Sequence, residues 1–248
     1  MTPEITIRTF SDDQYVLDKV FYSNYYRIKQ FAEDKVVVDV GAHAGYFSAL
    51  CALRNAAKVY AYEPFCDNYR MLVKNSEHFR EKVFPSKMGV YTENRFANFA
   101  FPKWEENFLF LADIKFHSTE EHKEACYIIK LDEVLDSVDE PEVELLKIHI
   151  GYAEADILLS SERIDKCKFV CGETIADEIK LGKLVDYMRE KGFQDSFVAP
   201  SKEKENQHLF LFAKYKCEDL FNMMDTSGPD ELPQVKTQAG TEFEAQGA

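Results

Sequence analysis

Six residues, Lys35 to Val40 (KVVVDV), constrain this chain more than any others. A short, continuous apolar run rich in β-branched residues is the pattern of a strand buried on both faces. Such a strand belongs to a parallel sheet covered by helices. The sequence keeps that rhythm. Tyr46 to Asn55 reads as a helix, Lys58 to Tyr62 as a second strand, and Lys82 to Pro85 as a third. Between the last two, Asp67 to Phe79 has helical spacing, with Tyr69, Leu72 and Val73 on the expected buried stripe. Further on, Glu144 to Ile150 and Lys168 to Cys171 read as buried strands beside the helices Ala153 to Ser160 and Ile179 to Lys191. The alternation predicts an α/β protein with a parallel sheet. Its end breaks the pattern. Phe193 to Val198 and His208 to Tyr215 are strands joined by the polar loop Ala199 to Asn206, with no crossover helix between them. They must form an antiparallel hairpin, so the sheet finishes with a reversed strand.

A chain of 248 residues suits one large domain. Residues 1–34 read as an N-terminal helical segment packing on the core, and residues 35–217 as the main domain. An aromatic-rich insert lies at about 91–130, with Phe96, Phe99, Phe101, Trp104, Phe108, Phe110 and Phe116. It reads as a strand-loop-strand element that serves as core, as a substrate lid or as a homo-oligomer surface. Residues 222–248 hold few apolar anchors and are expected to be disordered. From Asp225 onward that tail has five acids and one base, so most of the net charge of -14 belongs to the folded part. A protein this acidic repels bulk nucleic acid and anionic lipid. No apolar run is long enough to span a bilayer, and the N-terminus does not read as a signal peptide. The six scattered cysteines read as reduced thiols, which fits a cytoplasmic setting. Cys167 and Cys171 lack two further ligands, and His117 and His122 flank a polar loop without other support, so no metal is expected.

The sharpest local signal is Asp39-Val40-Gly41-Ala42-His43-Ala44-Gly45-Tyr46, set between a strand and a helix. Gly41 and Gly45 allow a tight bend and a close backbone approach to a ligand, and the helix start turns its amides toward it. Glu63 ends the next strand, followed by Pro64, where a carboxylate can accept both hydroxyls of a ribose. A dinucleotide turn requires G-x-G-x-x-G. Here His43 stands where the second glycine belongs, which disfavours a pyrophosphate. Asp39, just before the turn, suits a cationic amino-acid group. Asp39 with Glu63 therefore fits S-adenosylmethionine.

These segments resemble the FkbM-type methyltransferases. VVVDVGAHAGYFSAL is similar to that family's V-x-D-V-G-A-N-x-G-x-F-S, and VYAYEPFCDNYRMLVKN to its V-x-A-F-E-P-x-P-x-N-x-x-x-L-x-x-N. KLDEVL resembles T-L-D-D-L-L, and ELLKIHIGYAEADIL resembles L-L-K-I-D-V-E-G-A-E-x-x-x-L. The resemblance runs from about Val36 to Glu173. It implies a Rossmann-like class I methyltransferase fold, with a seven-stranded, mostly parallel sheet whose last strand is reversed. It also implies S-adenosylmethionine-dependent O-methylation of a small hydroxylated molecule, such as a sugar or natural product. Carried onto this chain, the turn (Gly41, Ala42, His43, Gly45, with Tyr46 and Phe47 following) would hold the methionine part. Glu63 and Pro64 would hold the ribose, and Ser86 and Lys87 would lie near the adenine.

One departure bears on catalysis. The family's D-V-E-G reads His149-Ile150-Gly151-Tyr152 here, although Glu154 of the following A-E pair is kept. An imidazole at the end of the fourth core strand suits a general base. It equally suits an inert replacement in a chain that binds S-adenosylmethionine without catalysis, as a scaffold. Glu173, at the end of the fifth core strand, either faces substrate or is a solvated rim acid.

Overall fold

The computed structural model of the chain describes residues 4–9, 11–23, 25–26, 33–102, 110–111, 121–201, 207–215 and 234–238. In chain order the first elements are strand β1 (Glu4–Arg8), helix α1 (Asp13–Leu17) with a π-helical turn (Asp18–Tyr22), β2 (Val36–Val40), α2 (Tyr46–Leu53), β3 (Lys58–Tyr62), α3 (Cys66–Ser76) and β4 (Val83–Ser86). The insert follows as β5 (Gly89–Tyr91), β6 (Arg95–Pro102), β7 (Phe110–Leu111) and β8 (Glu121–Lys130). Then come α4 (Leu131–Asp136), β9 (Val143–Ile148), α5 (Glu154–Ser160), β10 (Cys167–Ile175), α6 (Glu178–Glu190), β11 (Asp195–Pro200), β12 (Gln207–Ala213) and β13 (Gln234–Gln238).

The main sheet has seven strands in the order β11-β12-β10-β9-β2-β3-β4. All its pairings are parallel except those of β12, which runs antiparallel to both β10 and β11. The hairpin expected from the polar loop is therefore present, and the reversed strand sits between its two neighbours. Seven strands in this order with this reversal form the class I methyltransferase fold.

Every residue of β2 is buried. Its alternating side chains feed two cores, Val37 on the face covered by α2 and α3, and Val36, Val38 and Val40 on the face covered by α4, α5 and α6. The chain leaves β2 toward β3 and β4, then returns to place β9 on the other side of β2. That reversal is the topological switch point where open α/β sheets form a crevice at their carboxyl ends. The loops after β2 and after β9 are consequently neighbours: the His149 amide donates to the Val40 carbonyl at 3.0 Å.

Three expectations need correction. The N-terminal segment opens with a strand, β1, whose Ile5 and Ile7 are buried against the face that holds Val37. Gln234–Gln238, inside the stretch expected to be disordered, pairs in parallel with β1. Backbone pairing to an exposed strand edge does not require apolar side chains, so composition did not reveal it. On α3, Val73 is 44% exposed while Met71 and Leu72 are buried. The insert forms its own sheet, order β5-β8-β6-β7, with Phe96 turned outward and Ala97, Cys126 and Ile128 inward. Trp104, Phe108, Phe116, His117, residues 202–206 of the polar loop and the remainder of the tail lie outside the described residues. Among the described residues no helix is long and apolar enough to cross a membrane.

Gly172 in β10 pairs with Ile148, the last residue of β9. A Cβ there would lie 1.9 Å from the Ile148 carbonyl oxygen and 2.8 Å from the Phe210 ring. Backbone cannot move aside as a flexible side chain can, so Gly172→Ala is expected to destabilise the fold by about 2–3 kcal/mol in urea unfolding. A variant as stable as wild type would show that β9 and β10 separate more easily than this packing implies.

Candidate active site

The turn after β2 is built around a buried cation. The Lys147 ammonium lies 2.9 Å from Asp39 Oδ1 and donates to the carbonyls of Gly41 at 2.6 Å and Val40 at 3.3 Å. Ser48 donates to the other Asp39 oxygen at 2.6 Å. Both partners of the ion pair are buried. An unpaired charge at that depth is prohibitive, so the pair and its hydrogen bonds form as a unit. Asp39, expected from the sequence to meet a ligand's amino group, has its carboxylate engaged within the chain by Lys147 and Ser48. The two following residues also point inward. Tyr46 packs beneath β1, its hydroxyl near the Thr6 carbonyl, and Phe47 lies edge-on to Tyr26 with ring centroids 5.2 Å apart.

The turn itself adopts backbone conformations that favour glycine, with φ of 75° at Gly41 and 85° at Gly45. His43 also has a positive φ of 53°. A Cβ on Gly41 would stand 2.0 Å from the His149 carbonyl oxygen, and one on Gly45 would stand 2.7 Å from Leu72. The glycines thus admit close approach by the protein's own β9 loop and α3. The Gly41 and Ala42 amides both donate to the Tyr62 carbonyl at 3.0 Å, which ties the turn to the end of β3.

At that end Glu63 is buried, with each carboxylate oxygen accepting one backbone amide, His43 at 2.8 Å and Phe65 at 2.9 Å. Burial pushes its pKa up to about 7 against the opposing effect of those amides. Pro64 lies in the short connection from β3 to α3. Ser86, at the end of β4, accepts the Glu63 amide at 3.1 Å through its carbonyl. The Lys87 ammonium is 2.6 Å from Glu124 of β8, so it is engaged by the insert sheet.

The loop after β9 is held by Glu154, one of whose oxygens accepts the Ile150 and Gly151 amides at 2.7 and 2.6 Å. Burial also brings this carboxyl up to about 7. The loop presents His149, 30% exposed, between two partners: Nδ1 is 2.6 Å from the Tyr26 hydroxyl, and Nε2 is 3.4 Å from Glu173 Oε2. Glu173 is itself buried, accepting from Tyr25 at 2.7 Å and from Lys19 at 3.2 Å. The rim acid is therefore paired and not solvated.

His43 turns the other way. Its Nε2 is 3.8 Å from Asp12 and 4.0 Å from Asp13. Three ligand-type side chains meet here, but Arg8 donates to both Asp13 oxygens, at 2.9 and 2.7 Å, and satisfies that charge.

Lys147, Ser48, Lys19, Tyr25 and Tyr26 were not singled out from the sequence. Lys147 had a signal: a lysine inside the apolar run ELLKIHI must be paired if that run is a central strand. The N-terminal residues had none, because their contacts cross more than a hundred positions.

No protein-family model matches the chain, and no curated protein sequence does. Solved structures with similar folds include an rRNA methylase from Streptococcus thermophilus, 10% identical, covering 78% of this chain and 95% of that one with a TM-score of 0.47. A precorrin-6y C5,15-methyltransferase from Geobacter metallireducens is 16% identical, with coverage of 84% and 92% and a TM-score of 0.45. A ribosomal protein L11 methylase from Lactobacillus delbrueckii is 14% identical, with coverage of 77% and 76% and a TM-score of 0.45.

Two outcomes follow from the buried charges. Lys147→Met leaves Asp39 buried without its cation and is expected to cost about 3–5 kcal/mol of stability in denaturant unfolding; a loss below about 1 kcal/mol would mean that water reaches Asp39. Glu154 has a folded pKa raised from 4.5 to about 7, so its contribution is fully present below about pH 4.5 and is lost as pH rises through about 7. Glu154→Gln keeps an acceptor for the two loop amides and removes the titration. The variant should unfold at a higher temperature than wild type on the alkaline side of that window and lose this advantage on the acid side. Parallel pH profiles for the two proteins would contradict the raised pKa.

Proposed function

We propose that the chain is an S-adenosylmethionine-dependent methyltransferase of the FkbM type, acting on a hydroxyl of a small molecule. The observation that carries this reading is the meeting, at the β2/β9 switch point, of the Glu63-anchored glycine turn and the imidazole of His149.

The donor set fits the cofactor. Glu63 sits at the end of β3 with its orientation fixed by two amides, and each oxygen keeps a second lone pair for a ribose hydroxyl. Gly41, Ala42, His43 and Gly45 would line the methionine part, while Pro64, Ser86 and Lys87 flank the nucleoside end. Asp39, Tyr46 and Phe47 contribute by shaping the turn. When bound, S-adenosylmethionine supplies a methyl group on a positively charged sulfur. The chain's own residues do the rest. The switch-point loops hold the acceptor hydroxyl in line, and His149 takes its proton. The excess of acidic residues supports a small acceptor over RNA, because a site reading phosphates needs a basic surface.

Calorimetry on wild type and Glu63→Ala tests the cofactor site. Saturable binding of S-adenosylmethionine by wild type, weakened at least about tenfold in the variant, is the expected result. A folded wild type that binds nothing would overturn the reading. Binding of donor and demethylated product with equal strength, and no methyl consumption with any hydroxylated acceptor, would make the chain a binding or scaffold protein. His149→Ala should abolish turnover and leave cofactor affinity unchanged.

A further inference from the structure

We propose that Glu173 is the positioning residue for His149: it keeps the imidazole proton on Nε2 and leaves Nδ1 to meet the acceptor hydroxyl, in the place now filled by the hydroxyl of Tyr26. The inference rests on the methyltransferase reading for its purpose, but the arrangement of the imidazole can be tested without cofactor or acceptor.

The two ring nitrogens face chemically different partners. Nε2 lies 3.4 Å from a carboxylate oxygen of Glu173. That is an ion-pair contact, longer than a good hydrogen bond, yet near enough that an Nε2 lone pair would face a negative charge. A proton on Nε2 removes that repulsion. Nδ1 lies 2.6 Å from the Tyr26 hydroxyl, a hydrogen-bond distance. Tyr26 is buried, and its phenol is pushed well above its ordinary pKa by burial and by the charge of Glu173. It therefore stays protonated, and a protonated phenol can either donate to Nδ1 or accept from it; with the ring proton held on Nε2 by Glu173, it donates and Nδ1 is the acceptor.

The same geometry accommodates the other protonation state. When Nδ1 gains a proton, it becomes a donor, the neighbouring oxygen becomes the acceptor, and the imidazolium that results faces the Glu173 carboxylate. Removing a proton from a hydroxyl seated at Nδ1 needs that change and no other movement. A hydroxyl is already seated there, on Tyr26, so the structure shows which chemical group and which side of the ring are compatible.

Glu173 is held for this purpose. It is buried on β10, one oxygen accepts the Tyr25 hydroxyl, and the other is shared by Lys19 and His149. Lys19 sits 3.8 Å from the Tyr25 ring centroid, so the two N-terminal residues brace each other as well as the carboxylate. A carboxylate left to rotate would not hold one tautomer. The Lys19 ammonium shares that oxygen with His149 and moderates the attraction of Glu173 for an imidazolium.

Imidazole nitrogen NMR on the full-length protein decides the matter. In wild type His149 should carry its neutral-state proton on Nε2. Glu173→Gln should lower the proton affinity of His149 at least about tenfold, the effect of removing an opposite charge at this range. Tyr26→Phe should keep the Nε2-protonated form, since Glu173 remains, and should alter the Nδ1 signal alone. A wild-type proton on Nδ1, a titration unchanged by Glu173→Gln, or loss of the Nε2-protonated form in Tyr26→Phe would each overturn the proposal. If Glu173→Gln does not fold, the wild-type and Tyr26→Phe spectra still decide. Failure here with intact cofactor binding removes Glu173 from the site and leaves the methyltransferase reading standing. Absence of cofactor binding with the expected spectra does the reverse.

Discussion

A single buried ion pair organises this molecule. Asp39 closes the first core strand and Lys147 comes from the strand beside it, so their contact crosses the β2/β9 boundary at which the sheet changes direction. The ammonium satisfies the carboxylate and, at the same time, the carbonyls of Val40 and Gly41. The Gly41 carbonyl gains its partner there, and the Val40 carbonyl gains a second one beside the His149 amide, which matters in a parallel sheet covered on both faces. The pair is thus a device for bending the chain sharply out of a buried strand. Once the bend is made, Gly41 lies against the backbone of His149, the His43 amide reaches Glu63, and the ends of three strands are joined by backbone hydrogen bonds.

Several acids in this chain look available in the sequence and are spoken for in the structure. Asp39 is paired with Lys147, Asp13 with Arg8, Glu124 with Lys87, and Glu173 with Lys19 and His149. Among the described residues, Glu63 and Glu154 have no such cation at hydrogen-bond distance. Each instead accepts two backbone amides, and each is pushed toward neutrality by burial. Glu63 fixes the turn after β2 and Glu154 fixes the loop after β9, so the two amide-bound carboxyls hold the loops on either side of the switch point.

The core was legible because its physics is local. Continuous apolar runs gave the central strands to within a few residues, and the missing crossover helix gave the reversed strand. The glycine turn was legible because only certain residues tolerate its backbone. Roles inside the turn were less so. The pairing of Asp39 is not legible because its partner lies 108 positions away, and proximity across a sheet follows from strand order, which residue types do not state. The pairing of β1 with Gln234–Gln238 was illegible for a related reason: all five residues of the second strand are exposed, so no hydrophobic pattern marks it. Val73 was misplaced because a stripe of three apolar residues on α3 admits two helical phases. Asn68 and Asn75, both buried, select the other one.

Those two asparagines show how far the N-terminal segment is committed to the site. Asn75 exchanges hydrogen bonds with Thr6 of β1 and also donates to the Ala44 carbonyl inside the glycine turn, at 2.8 Å. Asn68 accepts from Arg8, which in turn holds Asp13 beside His43. The segment that supplies Lys19, Tyr25 and Tyr26 to the His149 side is therefore bonded to the turn on the Glu63 side. One N-terminal segment thus reaches both sides of the β2 turn: the buried asparagines of α3 tie its first strand to the turn at Ala44, and its later residues meet His149 and Glu173.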